Sequence, residues 1–452
     1  MNPVEPTLPG GNHRSKRSYA APHYATTEMP SPVDPRTGII HELGDLPWAA
    51  GEPEIFNCFV RMARTERYLG VPCYDMNGGA GLTLSAARAA AVGEGLERYC
   101  ASVYDPAELK VGNADELAKT HRVAPPGTFA LFHPSQGPGF PTFDNSTRLA
   151  WVTGRSLISD EQTLVPACLV YMPYHPQEAG EVAPAPAIST GLACARSYPE
   201  AVLGGLYECF ERDAFVIHWM NRITPCRIAP EAEGAIASVY HERLAKPGLH
   251  YTLLDVTLDP PVPSYFCVLI DDRNSVPMIS VGGASSFDTR RAQLKAMMEA
   301  AQTREWAKVL PAEGATALRH DAEQVRTFED HVALYAHGGM LEAVEFLLDG
   351  PVVQSRQPQT WAGSTDAALH RAIGLLHEAG LDAIVIDLTT PDTAQCGFCV
   401  VKVVIPELQP LDADYRKRFL GGRRLYELPR RLGFSDREVS PADLNPDPHP
   451  YP

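Results

Sequence analysis

The chain has 452 residues, 44% hydrophobic and 21% charged, enough for a sizeable core and, by length alone, for up to about three domains. A formal net charge of −16 at pH 7 and a pI near 5.4 argue against nucleic acid or an anionic membrane surface as a partner. Ten cysteines without regular spacing, no secretory apolar segment and no apolar run of membrane-spanning length point to reduced thiols in the cytoplasm.

Residues 1–50 are rich in Pro, Gly and Ser, carry a small basic cluster from Arg14 to Arg17, and lack apolar periodicity. They are expected to form a loosely ordered arm. Ile55 to Gly70 reads as a short helix that opens the folded part. Next comes a glycine-rich turn, Asn77-Gly-Gly-Ala-Gly81, running into a helix that carries Glu94 and Glu97 one turn apart with Arg98 beside them. Residues 105–150 are loop-rich, Trp151 to Met172 alternates strand-like runs with turns, and residues 176–187 form a Pro/Ala/Glu-rich approach suited to a mobile flap.

From Ala187 to Trp219 a turn feeds a central helix. Ser197 and Glu200 have capping-box spacing and Pro199 sits where a helix tolerates a missing N–H, so the helix starts near Ser197. At about 100° per residue, Glu200, Glu208 and Glu211 share one side, with Val202, Leu203, Leu206 and Phe210 roughly opposite. His218 and Trp219 read as core.

Further on, HYTLLDVTLD, SYFCVLIDD and VPMISVGGASS read as buried strands, the last delivering Gly282-Gly283 to a helix from Asp288 that carries Glu299, Gln302 and Arg304. Helix-like runs at His331–Ala336 and Asp366–Ala379 precede two apolar β-branched strands, AIVIDLTT and CVVKVVIP. Such alternation predicts an α/β fold. Cys396-Gly-Phe-Cys399 is a lone C-x-x-C, read as structural thiols for want of a second pair.

An acidic stripe on one helix is ordinarily a solvated face. Here it recurs. The ending E-x-x-E-R appears as Glu94, Glu97, Arg98 and again as Glu208, Glu211, Arg212, with a looser third copy at Glu299, Gln302 and Arg304. Oxygen ligands gathered from separate helices suit Mg²⁺, arginines suit phosphate, and glycine-rich turns present N–H groups to anions. No G-x-x-x-x-G-K-[ST], G-x-G-x-x-G or kinase signature occurs, so the expected nucleotide site is not of a standard type. Arg98 and Arg212 also admit a plainer reading, as partners of the glutamates on their own helices.

These three segments resemble, in the same order, the ATP-binding core of the YcaO family. The C-terminus, Gly421-Gly-Arg-Arg-Leu-Tyr-Glu-Leu-Pro429 followed by Asn445-Pro-Asp-Pro-His-Pro-Tyr-Pro452, resembles its azoline-forming branch. The resemblance implies one large α/β domain over residues 51–452, with mixed sheets and motif helices around ATP and Mg²⁺. It assigns the metal to Glu94, Glu97, Glu208 and Glu211, the nucleotide to Glu200, Arg212, Glu299, Gln302 and Arg304, and a catalytic carboxylate to Pro452. Ala80, Ala90, Ala193 and Arg196 depart from residues common in the family. Proline alternation favours an extended rod at the C-terminus, in which His449 is either a spacer or a polar group near the site.

The implied reaction is ATP-dependent cyclodehydration of Cys, Ser or Thr in a ribosomally made precursor peptide, as in the synthesis of thiazole/oxazole-modified peptides, bacteriocins included. Implied partners are the precursor and a separate E1-like, leader-binding protein, since no such segment is visible at the N-terminus; a homodimer is expected, with no nucleic acid and no membrane. Two alternatives stay open: another YcaO backbone activation, such as thioamide or macroamidine formation, and a non-catalytic scaffold.

Overall fold

The computed structural model describes residues 30–66, 70, 72–140, 143–185, 188–230, 234–312, 314–353 and 360–452; Arg14 to Arg17 and Ala187 lie outside them. Strands β1 (Ile40–Leu46), β2 (Phe56–Met62) and β3 (Met76–Gly81) form an antiparallel sheet in that order, and helix α1 (Leu84–Ser102) packs on it. The contact is backbone against backbone. A Cβ on Gly79 would lie 2.2 Å from Ala91 N, which explains why a glycine-rich strand meets an alanine-rich helix.

Three expectations change here. Asn77-Gly-Gly-Ala-Gly81 lies in strand β3, not in a turn, and its Gly78 N–H is spent on Glu94 instead of being left for an anionic ligand. The last part of the 1–50 arm is ordered, since β1 pairs with β2 from Leu46 back to Ile40. The segment from Ile55 is strand β2, not a helix: Cys58, Val60 and Met62 alternate inward to the same buried cluster as Ala87, Ala91 and Leu96 of α1. Short apolar runs do not distinguish strand from helix by period alone, and cross-strand pairing decided the matter.

The next unit holds β4 (Lys110–Gly112), β5 (Arg122–Val123), β6 (Leu149–Ser156), β7 (Gln162–Pro166), β8 (Leu192–Ala195) and helix α2 (Tyr198–Met220). The third holds β9 (Cys226–Ile228), β10 (Leu249–Asp255), β11 (Ser264–Asp271), β12 (Met278–Ser285) and helix α3 (Thr289–Val309). Then follow α4 (Phe328–His337), α5 (Leu341–Leu348), β13 (Val352–Val353), α6 (Thr365–Glu378), β14 (Ile384–Asp387), β15 (Cys399–Val404) and α7 (Arg423–Arg431). One sheet runs β5-β7-β6-β14-β15-β8, with β4 also on β6, and another runs β12-β11-β10-β9-β13. Pairing is antiparallel except at β5–β7 and β13–β9, so the fold is α/β with mixed sheets.

Helix α2 begins as expected, with Ser197 as its extended N-cap, but the serine side chain makes no capping bond. The capping box is therefore not formed. The helix packs against β8 and β15 on one side and against β11 and β12 on the other. The Glu208–Glu211 part of its acidic side is thus an inner face, with Glu211 only 5% exposed, while Glu200 in the first turn stays exposed. Helix α3 lies on β12 as α1 lies on β3: a Cβ on Gly282 would sit 2.4 Å from Ala300 N.

The proline-alternating tail is extended and docked. Tyr335 Oη donates to Pro448 O at 2.6 Å, Trp219 Nε1 donates to Asp447 O at 3.2 Å, and His331 Nδ1 lies 2.7 Å from His449 O. His449 is a buried strut, not a spacer: its ring stacks on His331 at 3.9 Å, its Nε2 donates to Asp412 O and its Nδ1 accepts from Tyr451 N.

Burial pushes His331 down to about 4 and holds His449 well below its usual value of 6.5, with His331 adding to the effect. At His331 the carbonyls of His449 and Ala413, one at each ring nitrogen, oppose the downward shift. His449 is neutral in the fold, one ring nitrogen donating to Asp412 O and the other accepting from Tyr451 N, so its contribution is complete above pH 6.5. It is lost as pH falls below that value, where the unfolded chain takes up a proton that the folded chain resists. Urea unfolding at pH 7 and pH 5 checks this; a His449→Asn variant should lose less on acidification than the wild type, and an equal loss would assign the acid sensitivity to other groups.

Candidate active site

Each of the three strand-to-helix units repeats one hydrogen bond. A glycine N–H at the strand or just before it donates to a glutamate on the helix that follows: Gly78 to Glu94 Oε2 at 3.3 Å, Gly191 to Glu208 Oε2 at 3.0 Å, and Gly283 to Glu299 Oε2 at 2.8 Å. The separations are 16, 17 and 16 residues. A glycine leaves the strand flat enough for the helix to bring its carboxylate onto the backbone. Glu299 is therefore the third-unit counterpart of Glu94 and Glu208, a relation the Gly-to-Glu spacing could have disclosed.

The acceptors one turn further on close the units into a ring. Glu97 of α1 reaches the second unit, accepting from Cys194 N at 2.8 Å. Glu211 of α2 reaches the third, where a Cβ on Gly283 would lie 3.3 Å from its Cγ. Gln302 of α3 reaches the first, its Nε2 3.4 Å from where a Cβ on Gly78 would stand. The set Glu94, Glu97, Glu208, Glu211, Glu299 and Gln302 is thereby gathered around one centre.

Arginines line the same centre. Arg98 lies 3.2 Å from Glu94 and 3.9 Å from Glu97; Arg212 lies 3.5 Å from Glu208 and 3.6 Å from Glu211. Arg212 Nη1 is buried without a hydrogen-bond partner among the described residues. Burial, reinforced by Glu208 and Glu94 against the pull of Arg98, pushes Glu97 up to about 8. Burial and the neighbouring Glu211 push Glu299 up to about 7. Crowded carboxylates of this kind are relieved by a cation. Among the described residues no three Asp, Glu, His or Cys side chains enclose a cation by themselves.

The other expected residues make none of these ring contacts. Glu200 is exposed in the first turn of α2, about two turns before Glu208. Arg304 is 3% exposed and already paired, with Glu52 Oε2 at 2.9 Å and Asp271 Oδ2 at 2.7 Å. In that cluster the cost of burial is outweighed by Arg304 and Lys308 at Glu52, and by Arg273 and Arg304 at Asp271, so both acids are held at about 2. Pro452 is half-buried beside Tyr451. Ala90 is exposed one turn before Glu94, Ala80 is partly buried and Ala193 is buried on β8. Arg196 is engaged with the Cys396 carbonyl at 3.1 Å and stacks on Phe398 at 3.8 Å. Cys396 and Cys399 are free thiols.

Three residues escaped the sequence reading. Lys295 of α3 stands among Glu211, Glu299 and Glu208, whose charges raise it above its ordinary value against the cost of desolvation. Lys402, a lone cation in the apolar strand β15, is buried, which lowers it to about 8 against the pull of Glu208. Tyr451 is fully buried and donates to Glu211 Oε1 at 2.5 Å. Lys402 stood out locally as a charge in a β-branched run; the tyrosine, 240 residues from its partner, did not.

A family model described as YcaO cyclodehydratase, ATP- and Mg²⁺-binding, matches residues 78–409. The chain belongs to the YcaO family. An uncharacterized protein of Methanothermobacter thermautotrophicus is similar, 26% identical over 342 residues, which is 74% of this chain and 82% of the relative. Among solved structures, a heterocyclase in complex with substrate and cofactor superposes with a TM-score of 0.75 at 24% identity, covering 93% of this chain and 56% of the heterocyclase. This chain thus spans about half of that protein's length. YcaO from Methanopyrus kandleri bound with AMPPCP and Mg²⁺ has a TM-score of 0.57 at 21% identity, covering 82% of this chain and 86% of its own. These likenesses establish the YcaO fold. The donor set suits the family's ligands: hard oxygens crowded enough to want a cation, and an unpaired buried guanidinium N–H able to meet a phosphate oxygen. No helix among the described residues is long and apolar enough to cross a membrane.

Proposed function

We propose that this YcaO protein is an ATP-dependent, azoline-forming cyclodehydratase acting on Cys, Ser or Thr of a ribosomally made precursor peptide. The observation that carries the reading is the ring of carboxylates from three helices around Arg212, whose Nη1 is buried and unpaired among the described residues. In this reading Glu94, Glu97, Glu208 and Glu211 hold Mg²⁺. Arg212, Glu299 and Gln302 receive the nucleotide, and Glu200, assigned there by the family resemblance, joins them only if the bound nucleotide reaches the first turn of α2. Arg304, its charge already met by Glu52 and Asp271, contributes by anchoring α3. Bound Mg²⁺ would supply charge neutralisation on the phosphates.

The peptide's side-chain thiol or hydroxyl attacks the preceding carbonyl carbon. The former amide oxygen then takes the terminal phosphoryl group of ATP and departs as phosphate while the amide nitrogen gives up its proton, leaving the C=N bond of the azoline and ADP. Arg212 keeps the transferring charge oriented, and the glycine N–H bonds hold the carboxylates in place beforehand, so little reorganisation is needed. The Pro452 carboxylate is the group proposed to orient or deprotonate the attacking side chain. A separate leader-binding partner and a homodimeric assembly belong to the same proposal.

The test is incubation with ATP, Mg²⁺ and a leader-bearing Cys/Ser/Thr peptide, with and without an E1-like partner. ADP, phosphate and a peptide lighter by one water are expected. A peptide that exchanges oxygen for sulfur would replace this reading with thioamide formation. Absence of ADP under every condition would leave the chain as a scaffold.

A further inference from the structure

We propose that Tyr451 is a positioning residue for the nucleotide–metal site, its phenol fixing the carboxylate of Glu211 and its ring fixing the plane of Arg212. This rests on the reading that those two residues serve the Mg²⁺-nucleotide. Tyr451 Oη donates to Glu211 Oε1 at 2.5 Å, inside a region from which water is excluded. The Arg212 guanidinium lies 4.0 Å above the same ring. One side chain thus engages both neighbours, the acid through its hydroxyl and the cation through its π-face.

The ring has no freedom to leave. Phe215 and Phe266 pack on it with centroids 4.9 and 5.6 Å away. Gly283 provides the space for the hydroxyl, since a Cβ there would lie 2.4 Å from Oη. The same glycine donates its N–H to Glu299, so one position serves two carboxylates at once. From behind, Tyr451 N is tied to His449, which is stacked on His331.

The chemical consequence follows from lone-pair arithmetic. With Oε1 of Glu211 taken by the phenol and facing Arg212, the carboxylate is turned in one direction, its other oxygen left to the remaining cations of the site, Lys295 and a bound metal. An outer donor of this kind on a metal-binding acid typically changes metal affinity by about 10–100-fold. The stacked guanidinium, meanwhile, keeps its buried Nη1 fixed in place.

Tyr451→Phe separates this role from packing, because it keeps the ring, the stacking on Arg212 and the core contacts and deletes only the hydroxyl. Binding of a non-hydrolysable ATP analogue to the full chain is measured across a MgCl₂ series, together with the melting temperature. The expected result is a Mg²⁺ half-saturation point raised about 10-fold or more, near wild-type nucleotide affinity at saturating Mg²⁺, and little change in melting. Gly283→Ala, which displaces the hydroxyl, should reproduce the shift. An unchanged Mg²⁺ requirement in Tyr451→Phe overturns the proposal and leaves the tyrosine as core packing. The functional reading is judged separately by Glu211→Gln: if that variant binds the Mg²⁺-nucleotide as the wild type does, Glu211 is no ligand, and the positioning role falls with it.

Discussion

Glu208→Gln should lower ATP-dependent turnover by about a hundred- to a thousandfold while leaving the fold intact. Glu208 Oε2 accepts the Gly191 N–H at 3.0 Å, and Oε1 faces Arg212 at 3.5 Å. A glutamine can keep the first contact through its amide oxygen. It must then point an NH₂ group at a guanidinium, donor against donor, and it takes one negative charge from the cation site. Electrostatic stabilisation by a metal is worth several kcal/mol in transition-state terms, which is two to three powers of ten in rate. The side chain is about one-quarter exposed, so its loss should barely move the melting temperature. Normal ATP-dependent cyclisation by this variant would sink the metal assignment.

Truncation before Pro450 should remove both stability and activity. Tyr451 is fully buried among Phe215 and Phe266, and emptying such a site costs about 3–5 kcal/mol. It also removes the hydroxyl that Glu211 accepts from. Extending the chain past Pro452 is a milder change with a different signature. Tyr451 can stay seated, so melting and nucleotide binding should hold, while the displaced carboxylate lowers cyclisation. Differential scanning fluorimetry, nucleotide titration and peptide mass analysis on the two variants separate these effects. A C-terminally tagged protein with wild-type cyclisation would remove Pro452 from the chemistry.

The comparison of sequence and structure turns on the range of each interaction. The Gly-to-Glu units were legible because everything they need lies within about five helical turns: a flat strand end, a helix start, and an acid at the right spacing. The starts of α2 and α3, the α/β alternation and the repeated E-x-x-E-R ending were likewise local properties. The close packing of strand and helix at Gly79 and Gly282 was not among them: the glycines read as turns and N–H donors, and only the folded chain set alanine backbone against them.

Partner choice was decided only by the folded chain. Recurrence already set the acidic side of α2 apart from an ordinary solvent face, but that the third unit's strands cover its Glu211 end and leave Glu200 exposed was settled by the fold. Arg304 matched a nucleotide-contact pattern yet paired with Glu52 and Asp271, since a buried guanidinium takes the nearest carboxylates that repay its lost hydration. Ile55 and the residues after it joined a sheet because β1 and β3 offered backbone partners on both sides. Tyr451 reached Glu211 across 240 residues by way of a docked tail. Local period and residue type determined the units and their acids; which buried charges meet, and through which hydroxyl, was decided by long-range desolvation, where a polar group is stable only beside a partner that no nearby sequence specifies.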